Sequence, residues 1–212
     1  MKSSYIEEGY DKVFFALIEA FRPMKCVEFG ILDGFSTLAI AEGLKHNFEM
    51  KYHGQTKGHL DSYDLFEDCP YGHGDINEVN ERINNSGLSE FVTIHKGDAY
   101  KVWENYEDKS IHFLHIDIGN TGEILKDMME LWNPKVQVGG IIAFEGGDIR
   151  RDNVCWMQKY KKPGIAPELL TNQIIKSGFV WGRYKNYPSL TVMLKKWDGN
   201  IWYDIQGNPH VE

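Results

Sequence analysis

The segment KCVEFGILDGFSTLAIA, residues 25–41, constrains the fold more than any other part of the chain. An apolar run short enough for a strand passes through an acid, Glu28, into a glycine turn and leaves along an amphipathic helix. Glu28, Gly30 and Gly34 form the pattern ExGxxxG. Gly30 permits φ values closed to residues with a Cβ, and Gly34 lets the backbone approach a ligand or the sheet closely. The helix beginning near Phe35 or Ser36 aims its free amides and positive dipole end into the turn. Nucleotide-type cofactors bind at junctions of this kind, although the same glycines also serve a tight connection without a ligand.

The remaining segments extend that beginning. Residues 11–21, DKVFFALIEAF, space apolar side chains as a helix does, and Pro23 ends the helix before a first strand at 25–29. A helix over 36–45 follows. Residues 46–59 carry two glycines and five basic or histidine side chains and read as an irregular excursion. A second strand spans 60–66, with Asp64 at its carboxyl end. Asp75 and Glu78 have the spacing of a capping box and open the next helix. Further strands fall at 91–95, 111–116 and 141–144, the last after a Gly139-Gly140 turn, with a helix over 122–131. Residues 179–184 and 190–195 are strand-like runs joined closely enough for an antiparallel hairpin. This alternation predicts an α/β fold, a Rossmann-like doubly wound and mostly parallel sheet of seven strands with an antiparallel terminal hairpin. The 212 residues suit one domain, with 1–22 as a leading helix, 23–195 as the core and 196–212 as a C-terminal extension.

Composition narrows the function. Lys+Arg number 23 against Asp+Glu 31, a formal charge of −8, which repels polyanions and argues against a nucleic-acid partner. The basic group Lys159, Lys161 and Lys162, with Arg150 and Arg151 nearby, is either a solvated surface or a contact for a small anionic substrate. Cys26, Cys69 and Cys155 are widely spaced without a CxxC pair, which fits a reducing compartment and excludes a cysteine zinc site. The opening MKSSYIEEGYDK has no apolar signal core, and no run reaches the length of a membrane span. The expectation is a cytoplasmic protein with no membrane partner, acting on a small molecule; a homo-oligomer is compatible with the aromatic tail of Trp197, Trp202 and Tyr203.

In open parallel sheets, ligands gather beyond the carboxyl ends of the strands. Every expected parallel strand here ends in an acid: Glu28, Asp64, Asp98, Asp117, then Glu145 and Asp148. The order of ExGxxxG, an acid after strand two, GDA, HID and GGIIAFEGG resembles the class I S-adenosylmethionine-dependent methyltransferases, over roughly 23–195. Within that class, VEFGILDGFSTLAIA and FLHIDIGNTGEILKDMMELWNPKVQVGGIIAFEGG look most similar to small-molecule O-methyltransferases of the macrolide-sugar and cephalosporin-tailoring type. The resemblance implies S-adenosylmethionine as cofactor, with Glu28, Gly30 and Gly34 around its methionine and sugar portion. Asp64 would accept the ribose hydroxyls, with Glu67 and Asp68 as rivals. Asp98 and Ala99 would border the adenine, and Asp117 would also line the cofactor site.

The same resemblance raises a divalent cation, such as magnesium, held by Asp117 and Glu145 and lowering the pKa of the acceptor hydroxyl. The next position is Gly146, so a second oxygen ligand must come from elsewhere, with Asp148 the candidate. Where many relatives read IDGDHSYE, this chain has IDIGNTGE, and Asn120 replaces the histidine of that pattern. Asp117, Asn120 and Glu145 are the catalytic candidates, with Asp117 as base or ligand. His112 and His115 in strand four are either core residues or catalytic groups. Arg150, Arg151, Trp156 and Tyr160 are candidates for the substrate wall, for a polar, anionic or sugar-like acceptor, while Trp156 and Tyr160 also fit one buried helix face. The leading function is methyl transfer to a hydroxyl of a small molecule. A non-catalytic cofactor- or nucleotide-binding protein and an NAD-dependent oxidoreductase are the alternatives, the latter opposed by the missing GxGxxG.

Overall fold

The structure, a computed structural model, describes residues 3, 5–70, 72–159, 161–186, 188–196, 201–203 and 209–211. Helices α1 (Tyr10–Phe21), α2 (Phe35–Glu49) and α3 (Ile76–Asn85) alternate with strands β1 (Lys25–Phe29), β2 (His59–Asp64) and β3 (Val92–Lys96). Then follow β4 (Ile111–Ile116), α4 (Gly122–Trp132) and β5 (Val136–Glu145), and four short helices: α5 (Ile149–Asp152), α6 (Cys155–Lys159), α7 (Ile165–Thr171) and α8 (Gln173–Gly178). Strands β6 (Phe179–Tyr184) and β7 (Leu190–Lys195) complete a seven-stranded sheet, and β8 (Ile201–Tyr203) pairs separately with β9 (Pro209–Val211). The strand order is β3-β2-β1-β4-β5-β7-β6. Pairs β1–β2, β2–β3 and β4–β5 are parallel, whereas β7 is antiparallel to both β5 and β6. The expected mostly parallel sheet with an antiparallel terminal pair is therefore present.

The chain divides into two compact units, Met1–Val102 and Trp103–Glu212. In the first, α1 buries Tyr10, Phe14 and Ile18, and the Tyr5 ring packs 5.2 Å from Tyr10 and 5.6 Å from Phe14. Gly43 of α2 lies directly against Ile18, where a Cβ would come within 2.7 Å, so the two helices meet at a small residue. Asn47 donates from Nδ2 to the Ile18 carbonyl at 2.8 Å, a second bond to an oxygen that already accepts the Arg22 amide at 2.9 Å. In β1, Cys26, Val27 and Phe29 are buried. Cys26 is a small core hydrophobe whose thiol pKa is pushed up, first by burial and then by the nearby Asp61 and Glu28 charges.

In the second unit, α4 turns Leu125, Met128, Met129 and Trp132 inward, the spacing of one helical face. Lys195 ends β7 with its ammonium buried, donating to the carbonyls of Asn133 at 2.9 Å and Val136 at 2.8 Å. Thr121 caps α4 by accepting from the Ile124 amide at 3.3 Å.

Several boundaries differ from the sequence expectation. Helix α2 continues to Glu49, so the irregular segment is shorter than 46–59. Strand β2 stops at Asp64 rather than at residue 66, because Phe66 turns to φ 49° at the start of a short 3-10 turn. Gly139 and Gly140 do not precede β5 but lie inside it, at a bulge: Ile111 pairs with Val136, whereas Phe113 pairs with Ile141. A Cβ on Gly140 would sit 2.7 Å from Val136 Cγ1, which is why the bulge requires glycine there. Of the short helices α5 to α8, only α6 has a counterpart in the sequence, where the four-residue spacing of Trp156 and Tyr160 also fits a helix. Tyr160 and Trp197 lie outside the described residues, and Trp156 is placed only as part of the α6 backbone.

Candidate active site

In the first unit the glycine turn between β1 and α2 is fixed by two carboxylates. Gly30 has φ 89° and Gly34 has φ 82°, both in the left-handed region that favours glycine. Leu32 sits between them at φ 48°, an uncommon state for a residue with a Cβ. Asp64 holds that conformation in place: Oδ2 accepts from the amides of Ile31 at 2.7 Å and Leu32 at 3.2 Å, while Oδ1 accepts from Phe66 at 2.8 Å. The acid expected to meet a ribose thus also organises the turn. A carboxylate offers about four acceptor positions, and these three bonds leave room for a further donor.

Glu28 is fully buried and grips the turn from beneath. Its carboxylate accepts from Ser36 and Thr37 in the first turn of α2, each at 2.6 Å, and from Ser62 of the paired strand. A buried carboxylate must find such donors, since an unpaired charge there would be very costly. These three hydroxyls were missed by sequence reasoning. Ser36 and Thr37 follow a helix-start glycine, a usable signal, but Ser62 meets Glu28 only through the β1–β2 register.

Residues after β2 close over the turn. Arg82 of α3 donates from Nη1 to the Asp33 carbonyl at 2.8 Å and from Nη2 to Glu78 at 2.9 Å. Val79 lies under Gly34, 3.4 Å from the position a Cβ would take, and the Gly74 backbone abuts the Leu32 carbonyl. Asp75 caps α3 as expected, accepting from Asn77 at 2.8 Å and Glu78 at 3.2 Å. The rival acids Glu67 and Asp68 both face Lys96, at 2.7 and 2.9 Å. The hydrogen bond from Lys96 lowers the Glu67 pKa, and the same contact, followed by that to Asp68, raises that of Lys96. After β3, Asp98 accepts from the Tyr100 amide at 3.0 Å, and Ala99 is buried. A cross-strand aromatic row accompanies these groups: Tyr63 lies 5.6 Å from Phe29 and stacks 4.6 Å from His95.

The second unit carries its own cluster at the carboxyl ends of β4 and β5. Asp117 follows β4 directly, and Asn120 is buried three residues on. Glu145 ends β5 with its side chain only 6% exposed, and Oε1 accepts from Arg151 Nε at 3.2 Å and Nη2 at 3.1 Å. With its carboxamide oxygen turned toward Arg151, Asn120 holds that atom 2.9–3.0 Å from the guanidinium nitrogens. Glu145, Arg151 and Asn120 therefore form one internal group. Arg150 differs: its side chain is 61% exposed and donates to Asp148 at 3.0 Å and to the Lys185 carbonyl. Asp148 caps α5, and the backbone amide of Arg150, with its side chain, holds the Asp148 carboxyl below the usual range. Asp152, which sequence reasoning passed over, caps α7 by accepting from Ile165 at 3.0 Å and Ala166 at 2.9 Å. Nothing in the sequence marks that contact, because its partners lie more than ten residues away. His115 is buried in β4, whereas His112 is partly exposed.

The fit to a divalent cation is poor. Glu145 already faces a guanidinium, and Asp148 is committed to the start of α5. Position 146 is glycine at φ 105°, a conformation that residues with a Cβ rarely adopt, so a ligand side chain there would be strained, with its Cβ 2.9 Å from Ile165 Cδ1. Among the described residues no group of three His, Cys, Asp or Glu side chains is placed to hold a metal. Likewise among the described residues, no helix is long and apolar enough to cross a membrane.

A family model described as a methyltransferase domain matches residues 27–145, more than half of the chain. The chain belongs to that methyltransferase family, and its sheet is that of class I S-adenosylmethionine-dependent methyltransferases. No curated protein matches the sequence. Solved structures share the fold at low identity. The O-methyltransferase TomG from Streptomyces achromogenes, involved in tomaymycin synthesis and crystallised with S-adenosylmethionine, is 14% identical over 88% of this chain and 79% of its own, with a TM-score of 0.65. An O-methyltransferase from Bacillus cereus in complex with S-adenosylhomocysteine is 16% identical over 87% of this chain and 80% of its own, TM-score 0.63. A Podospora anserina methyltransferase bound to S-adenosylhomocysteine is 14% identical over 88% and 78%, TM-score 0.62.

Proposed function

We propose that this chain transfers a methyl group from S-adenosylmethionine to a hydroxyl of a small-molecule acceptor. The observation that carries this reading is the turn from Gly30 to Gly34, held in a left-handed conformation by Asp64 at the end of the neighbouring strand. Such a turn costs free energy, and it persists where the surrounding groups over-determine it, commonly at a ligand site. The family match and the three ligand-bound neighbours support the choice of cofactor.

In this reading Asp64 accepts hydrogen bonds from the ribose hydroxyls, Asp98 and Ala99 border the adenine, and Gly30 and Gly34 lie against the methionine portion. Glu28 acts through the turn, because its oxygens are engaged by Ser36, Thr37 and Ser62. When bound, S-adenosylmethionine supplies a methyl group activated by a sulfonium centre. The protein then needs to align the acceptor oxygen, exclude water and remove one proton. Asp117 is assigned that proton, as general base. Arg150, with its exposed side chain, is the stronger candidate of the two arginines for direct contact with an acceptor, and a sugar-like or natural-product acceptor suits it.

A second reading, a non-catalytic S-adenosylmethionine- or nucleotide-binding protein, is favoured by Asn120 and Glu145 both being engaged with Arg151. Calorimetry with S-adenosylmethionine, S-adenosylhomocysteine and NAD, followed by measurement of S-adenosylhomocysteine release over a panel of hydroxylated acceptors, separates the two. Binding of the sulfonium compound with turnover of at least one acceptor is expected. Binding without release over the whole panel supports the second reading, and binding of NAD alone removes both.

A further inference from the structure

We propose that the Arg151 guanidinium is the resident cation at the end of β5, taking the place of a divalent metal, so that this chain needs none. The inference deepens the methyltransferase reading and rests on it for the reaction itself; the ion-pair part concerns only side chains of the second unit.

Three observations converge. Glu145, the strand-end acid that would hold a cation, is almost fully buried and presents Oε1 to Nε and Nη2 of Arg151 at 3.2 and 3.1 Å. The guanidinium is itself only 15% exposed, so water screens the pair weakly. Second, the position that would supply another oxygen ligand is Gly146, at φ 105°, where any side chain would be strained and would press its Cβ on Ile165 Cδ1. Third, Asn120 sets its carboxamide against the same guanidinium, so the polar groups of this corner are arranged around Arg151. A divalent ion brought to Glu145 would have to displace a bonded guanidinium or share the acid with it at close range. Both routes oppose binding, by Coulomb repulsion and by leaving an arginine buried without its acid.

Arg151 is accordingly a positioning residue rather than a substrate contact. It pairs with Glu145 and fixes Asn120. A chelator cannot remove it.

The test uses the full chain. Titrating the wild-type protein with Mn²⁺ and following the free-ion signal by electron paramagnetic resonance should show no stoichiometric binding at protein concentrations in the tens of micromolar. Methyl transfer to any acceptor the panel identifies should proceed equally with EDTA or magnesium present. Arg151→Met should lower Tm clearly, Arg151→Lys should recover part of that loss, and the double variant Arg151→Met with Glu145→Gln should be more stable than the effects of the two single changes added together. Stoichiometric Mn²⁺ binding lost in Glu145→Gln would overturn the proposal. So would inhibition by EDTA that magnesium reverses, or strictly additive Tm changes. Calorimetry with S-adenosylmethionine is scored separately, so failure of the cofactor reading leaves the ion-pair and Mn²⁺ results standing on their own.

Discussion

Asp64 and Glu28 do different work with the same functional group. Asp64 is partly exposed and divides its oxygens among three backbone amides of two turns, whereas Glu28 is sealed among three hydroxyls. Asp64→Ala should weaken S-adenosylmethionine binding at least tenfold and cost about 2–3 kcal/mol of stability, since charge-assisted hydrogen bonds to the turn are lost. Calorimetry and thermal melts measure the two effects independently; unchanged affinity would remove Asp64 from the site. Glu28→Ala should cost about 3–5 kcal/mol, because it strands buried hydroxyls and opens a cavity. Asp117→Asn should abolish methyl release while leaving cofactor affinity nearly intact, and retained turnover would exclude it as base. The sequence marked these acids by their places after apolar runs. What each one touches was not legible, because Glu28 reaches Ser62 through strand register and Asp64 reaches Ile31 through the close approach of two loops.

The glycine turn is a property of elements acting together. Gly34 is simultaneously the cap of α2, at φ 82°, and a seat for Val79 of α3. Gly34→Ala places a Cβ residue in the left-handed region at a cost of about 1–2 kcal/mol, and a fall in Tm of roughly 2–8 °C would register it. Arg82→Ala should leave the secondary structure intact by circular dichroism but raise the cofactor Kd several-fold, because the Asp33 carbonyl loses its anchor. An unchanged Kd would show that α3 does not steady the turn. At this level the reading from sequence succeeded where a local signal was strong: helical spacing in α1, the Asp75 cap of α3, the apolar run of β4 and the short connection of the β6–β7 hairpin. It failed at Gly139-Gly140, where glycine inside a strand marks a bulge rather than a turn. Over 149–178 it offered only a helix through Trp156, because helices of one or two turns are too short to show a 3.6-residue period and are held by capping contacts such as Asp152 with Ile165.

For the molecule as a whole, charge sets the pH response. The Asp148 carboxyl has its pKa lowered on folding, so it favours the folded state above the unfolded value of about 3.9. That contribution is lost as pH falls below this value toward the folded pKa. Asp148→Asn should therefore destabilise the protein at neutral pH and flatten its acid-unfolding curve below about pH 4; an unaltered curve would show that the Asp148 charge contributes nothing. The alternation of strands and helices made the fold class readable from the sequence, whereas the cofactor class came through the resemblance of its motif order to class I methyltransferases. The acceptor was not readable, because residues 149–178 that follow β5 follow no periodic rule and fold-level likeness does not name a substrate.

The most direct test is isothermal titration calorimetry of S-adenosylmethionine into the wild-type protein and into Asp64→Ala, with NAD as the control. We expect one site per chain in the wild type, affinity at least tenfold weaker in the variant, and no heat with NAD. Absence of S-adenosylmethionine binding by the folded wild-type protein would contradict the assignment of the Gly30–Gly34 turn as a cofactor site.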